Sequence, residues 1–119
     1  MRPVTLSIFN LVVEQSLDVV LSAIADPTRR AIIDRLARGP ARVTDVAAPF
    51  SMSLNAVSKH VKVLERARLL RRSRQGREHT LELEARPLRQ LVRWASRYER
   101  FWNDRVDRLE TFLQKEKHR

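Results

Sequence analysis

The sequence predicts a mainly α-helical domain carrying one two-stranded β-hairpin, and three observations predict it. Apolar residues recur at spacings of three and four along most of the chain, the mark of helices with one buried stripe. One segment, Glu78-His79-Thr80-Leu81-Glu82-Leu83, alternates polar and apolar residues instead, which is the period of a half-buried strand. Caps and breakers (Asp26-Pro27, Gly39-Pro40, Ser53 and Gly76) fall between these segments. A chain of 119 residues can bury one modest core, and no internal repeat or low-complexity linker sets off a second. The expected organisation is a single domain over 1–119: an N-terminal arm over 1–15, a core over 16–86 and a C-terminal helix over 87–115.

The first segment carries Val4, Leu6, Ile8, Phe9, Leu11, Val12 and Val13 after Arg2, a faint likeness to a secretion signal. Thr5, Ser7 and Asn10 interrupt it, and Glu14-Gln15 is no small-residue cleavage site, so it reads as an apolar arm or helix. From Ser16 to Ala25 a helix places Leu17, Val20, Leu21 and Ile24 on one face. Asp26 can cap the next helix, and Pro27 suits its first position, where a missing N–H costs nothing. That helix turns Ile32, Ile33, Leu36 and Ala37 inward and Arg29, Arg30, Arg35 and Arg38 outward, and Gly39-Pro40 ends it.

A short helix over Thr44–Ala48 buries Val46 and Ala47, and Pro49-Phe50-Ser51-Met52 makes a turn. The longer helix that follows has Ser53 as its cap and ends near Ala67. Leu54, Val57, Val61 and Leu64 face the core, with Met52 also assigned to it, while Asn55, Ser58, Lys59 and Lys62 point away. A short helix, a brief turn and a longer capped helix form a helix-turn-helix. Leu69 to Arg74, a turn at Gln75-Gly76-Arg77 and the alternating segment then form a basic hairpin, or wing, with Arg71, Arg72, Arg74 and Arg77. The predicted fold class is therefore a winged helix-turn-helix of about five helices with a two-stranded wing. From Pro87 the chain returns to helix, with Leu88, Leu91, Ala95, Tyr98, Trp102, Val106, Leu109 and Leu113 along one stripe. So long a stripe exceeds what a small core can cover, and part of it is expected to pair with another chain.

Lys and Arg number 24 against 14 Asp and Glu, a net charge of +10. That excess favours a polyanionic partner, nucleic acid or an anionic membrane surface. It is spread unevenly: residues 1–26 hold one basic and three acidic side chains, whereas 53–86 hold nine and four. No apolar run approaches the roughly 18–20 residues that span a bilayer. Cysteine is absent, which removes disulfides, thiolate metal sites and thiol redox chemistry. With two glycines, no phosphate-cradling loop and no Ser/His/Asp motif, an enzyme is not expected, and neither is a cofactor.

Double-stranded DNA is the expected partner. Small hydrogen-bonding side chains near the start of a basic helix reach base edges in the major groove without steric bulk. Ser58, Lys59 and Lys62 are the first candidates for contact, because core packing does not explain them. Ser51, Ser53 and Asn55 can meet phosphate or cap the helix, and His60 can meet a phosphate or pack at the helix edge. Arg72, Arg74 and Arg77 are the candidate wing contacts, to phosphate or minor groove. Trp94, Phe101 and Trp102 are assigned to core or dimer packing rather than to an effector pocket.

Two segments at their separation carry a resemblance. Ala25-Asp26-Pro27-Thr28-Arg29-Arg30 with Ile33 and Leu36, then Met52-Ser53 and Ala56-Val57-Ser58-Lys59-His60-Val61-Lys62-Val63-Leu64-Glu65, are similar to the ArsR-type winged helix-turn-helix repressors. The resemblance spans roughly Leu17 to Leu113. It implies a homodimeric, cytoplasmic bacterial transcription regulator, in most members a repressor released from its operator by a signal. It also implies a dimer built by the first and last helices, here through Leu17, Leu21, Leu91, Tyr98, Trp102, Val106, Leu109 and Leu113. Well-known members sense metals through a thiolate pair on the short helix, where this chain reads Thr44-Asp45-Val46-Ala47-Ala48. A second family site uses Asp and His on the last helix, which here offers Asp104, Asp107 and Glu110 with no His before His118. No metal site is expected on that evidence. The rival readings are a non-specific nucleoid or RNA-binding protein, a partner-binding module working through the last helix, and a metal-sensing regulator.

Overall fold

A computed structural model describes residues 17–117; the N-terminal arm expected over 1–15 and His118 lie outside that span. The elements are α1 (described over 17–24), α2 (Pro27–Ala37), β1 (Ala41–Arg42), α3 (Val43–Ala47), α4 (Leu54–Arg66), β2 (Leu70–Gln75), β3 (Glu78–Leu83) and α5 (Arg86–Lys117). Five helices and the wing match the expected fold class. The wing, however, belongs to a three-stranded antiparallel sheet in the order β1-β3-β2. The added strand is two residues long, too short to show any alternation in sequence; it pairs Ala41 with Leu81 and Arg42 with Thr80.

Chain contacts divide the molecule into a body ending at Leu88 and a unit from Arg89 onward. The body's core takes Val20 and Ala23 from α1, Ile32 and Leu36 from α2 and Val46 from α3. Val57, Val61 and Leu64 from α4 join them, with Leu69, Leu70 and Leu81 at the root of the wing. Along α2 the inward face is narrower than expected: Ile33 is half-buried and Ala37 exposed. At the start of α4 the difference is larger. Leu54 is 52% exposed and Met52 37% exposed, so neither belongs to the core. Leu54 shares the spacing of Val57 and Val61, but it occupies the first turn, where α4 projects beyond the packed layer.

Asp26 caps α2 as expected, its carboxylate accepting from the N–H groups of Thr28 (2.8 Å) and Arg29 (3.2 Å). Ser53 caps α4, its hydroxyl accepting from the Ala56 N–H at 3.1 Å. The far end of α4 closes through a paired motif in which Leu69 N–H donates to the Leu64 carbonyl (3.0 Å) and Arg68 N–H to that of Glu65 (2.9 Å). This geometry requires a left-handed residue at Arg68, whose φ is 60°. Glycine adopts that conformation without the Cβ clash that an L side chain pays. Arg68→Gly is therefore expected to stabilise the fold by about 0.5–1 kcal/mol, seen as a higher urea midpoint at unchanged slope; a lower midpoint would contradict the motif.

Gly76 has φ 62° and is the first residue of the two-residue turn between Gln75 and Glu78, the place where a type II′ hairpin requires glycine. Only the first residue of β2 is buried, so the wing stands out from the body. α5 runs 32 residues, about 48 Å at 1.5 Å per residue, and contains no buried side chain. Trp94 packs on Tyr98 one turn later with ring centroids 5.3 Å apart, and the Arg105 guanidinium lies 4.2 Å above the Phe101 ring.

Candidate nucleic-acid interface

Burying Val57, Val61 and Leu64 leaves the opposite face of α4 to solvent, and there Asn55, Lys59 and Lys62 are exposed. Neither lysine forms a hydrogen bond or ion pair among the described residues. Ser58 sits at the edge of this face, half-buried. Its hydroxyl has no partner among the described residues, unlike those of Ser96 and Thr111, which donate to the carbonyls four residues earlier. Ser51 is exposed in the preceding turn, and Ser53 is committed to the cap.

His60 is placed differently. Its Nδ1 lies 3.3 Å from an Arg29 guanidinium nitrogen, and the same guanidinium donates to the carbonyls of Ala23 and Ser22. Arg29, expected to point outward, is thus half-buried and joins the end of α1 to α4, with His60 facing it. Partial desolvation pulls the Asp26 carboxyl upward, but N–H donation from Arg29 and Thr28, with the charges of His60 and Arg29, outweighs it and lowers the pKa. A carboxyl depressed on folding stabilises the fold above its unfolded value, about 3.9, and loses that contribution as pH falls through the lower folded value. Asp26→Asn, which keeps an acceptor oxygen, is expected to show a flatter decline in melting temperature below about pH 4 than the parent; parallel declines would contradict the assignment.

The wing divides by strand period. Arg71 faces Glu82 (3.8 Å) and Glu84 (3.5 Å). Arg72, on the other face, donates to both carboxylate oxygens of Glu65 of α4 from one guanidinium edge, Nη2 at 2.7 Å and Nε at 3.4 Å, and its Nη1 lies 3.3 Å from His79 Nδ1. Arg72 therefore fixes the wing against the long helix. Arg74 donates to the Gly76 carbonyl at the tip, and Arg77 has no partner among the described residues.

Between helix and wing lies an open cleft of about 240 Å³ lined by Ser58, Arg72 and Arg77 from the expected set, with Arg42, Val43, Thr44, Leu54, Glu78 and His79. Arg42 is bound to Asp45 (2.9 Å) and Glu78 (3.4 Å). The Asp45 hydrogen bond raises the Arg42 pKa and lowers that of Asp45. Arg42, Thr44 and Leu54 were not singled out from sequence as site residues. For Arg42 and Thr44 only the unanticipated β1 pairing beside the wing could have revealed them.

A helix-turn-helix whose second helix keeps its cationic face free, flanked by a basic hairpin, defines a winged helix-turn-helix DNA-binding protein. A family model described as a helix-turn-helix domain matches residues 24–73. The chain is 40% identical over 88 residues to an HTH-type transcriptional regulator, Rv2034, of Mycobacterium tuberculosis, covering 74% of this chain and 79% of that protein. It is 33% identical over 75 residues to the transcriptional repressor SdpR of Bacillus subtilis, covering 63% and 83%. A solved ArsR family transcriptional regulator, RHA00566, superposes with a TM-score of 0.70 at 38% identity, over 76% of this chain and 93% of that one. The chain belongs to the ArsR family: it is a DNA-binding transcription regulator and not an enzyme. No helix among the described residues is long and apolar enough to cross a membrane.

Proposed function

We propose that this protein is a cytoplasmic homodimeric repressor that binds an inverted-repeat operator, one α4 helix entering the major groove in each half-site. The observation that carries this reading is the face formed by Asn55, Ser58, Lys59 and Lys62, which, like Arg77, has no side-chain partner among the described residues. Asn55 and Ser58 reach base edges, while Lys59, Lys62, Arg74 and Arg77 meet phosphates. Ser51 is exposed beside the helix start for a further backbone contact. Ser53, His60 and Arg72 hold the helix and wing in position. Two copies join through α5, whose apolar stripe from Tyr98 to Leu113 is exposed among the described residues, with Leu17 and Leu21 of α1 contributing. A two-fold dimer places its recognition helices one helical turn apart, roughly 34–36 Å.

Duplexes selected from a random pool by the protein are expected to converge on an inverted repeat. In mobility-shift competition that repeat should bind at least about 1,000-fold more tightly than random duplex. Equal affinity for both would show a protein that uses only its charge.

A further inference from the structure

Between Pro27 and Leu88 the body covers its large apolar side chains with two exceptions, Met52 and Leu54, and both flank the Ser53 cap at the start of α4. Leu54, the more exposed of the two, lines the cleft together with Ser58, Thr44 and Arg77. An exposed leucine in such surroundings has two kinds of partner to choose from. An apolar protein surface would have to approach Lys59, Lys62 and Arg77, three cations without partners among the described residues, and would strand their charge. Duplex DNA satisfies those cations with its phosphates. The apolar group it offers in the major groove is the 5-methyl of thymine.

We propose that Leu54 is a specificity-determining residue that packs against a thymine methyl in each operator half-site, with Met52 shielding the same contact. The N-terminal residues of a recognition helix are the ones that reach base edges, and Leu54 is the first helical residue of α4. Asn55 and Ser58, one and four positions on, supply the hydrogen bonds beside it. The contact selects thymine over cytosine, which lacks the methyl and presents an amino donor at the neighbouring position.

The inference rests on operator binding, and its test separates the two. Each thymine of a selected operator is replaced singly by deoxyuridine, which removes the methyl and keeps every hydrogen-bonding group. Wild-type protein is expected to bind about fourfold more weakly when one particular thymine per half-site is changed, and to ignore the others. Leu54→Ala should bind the parent operator several-fold more weakly and be indifferent to that methyl. A flat deoxyuridine series with wild-type protein, or the same methyl sensitivity in Leu54→Ala, overturns the assignment while leaving operator binding intact. A wild-type protein that selects no sequence overturns the operator reading itself, and this inference with it. The deoxyuridine series with wild-type protein needs no variant to fold.

Discussion

Glutamate at both Trp102 and Leu109 is expected to yield a folded monomer that no longer holds an operator. The two side chains are 63% and 57% exposed, and they lie seven residues apart, two turns along one face of α5. Their replacement removes nothing from the core, because α5 has no buried side chain. Two carboxylates per copy would instead face an apolar stripe in the partner, where an unpaired charge is expensive to desolvate. Losing the second half-site removes the advantage of linked binding, roughly 100- to 10,000-fold in affinity. Light scattering should report a mass near 14.0 kDa, with an unchanged far-ultraviolet circular dichroism spectrum. A variant that remained dimeric and bound the operator like its parent would place the interface elsewhere.

Lys59→Ala with Lys62→Ala should have the second large effect, confined to DNA. Both lysines are exposed and unpaired among the described residues, so the melting curve should move little, within about 0.5 kcal/mol. A dimer would lose four cationic contacts. At about 1 kcal/mol for each, the loss approaches 1,000-fold. If all four are phosphate contacts, the slope of log affinity against log salt falls by about 3.6. A weaker complex with an unchanged salt slope would assign the lysines to bases rather than to the backbone, whereas unchanged affinity would remove α4 from the interface.

The sequence made the helix-turn-helix legible because burial there is strongly periodic. Val57, Val61 and Leu64 are all buried, and Asn55, Lys59 and Lys62 all face water. Asp26 and Ser53 were readable as caps because capping depends on one side chain and the backbone just after it. Leu54 and Met52 misled for the converse reason. Spacing reports which face of a helix a residue is on, but not whether the core extends as far as its first turn. The pattern predicts an outward Arg29 and a DNA-contacting Arg72 on the wing, yet each spans two elements, to α1 carbonyls and His60 in one case and to Glu65 in the other. Such pairings join residues 31 and 7 positions apart, and no local pattern encodes them. Strand β1 escaped notice because a two-residue strand has no period, and it is what brings Arg42 to Glu78 on the wing. The left-handed Arg68 was hidden as well, since the geometry normally signals itself by a glycine.

Guanine methylation interference on a selected operator tests the groove assignment most directly, because the reagent marks N7, an acceptor that lies in the major groove. Methylation is expected to block binding at two clusters on one side of the duplex, separated by about one helical turn, and the Trp102→Glu, Leu109→Glu variant to lose this pattern. Interference at a single cluster, or binding indifferent to N7 methylation throughout, would contradict two recognition helices seated in successive major grooves.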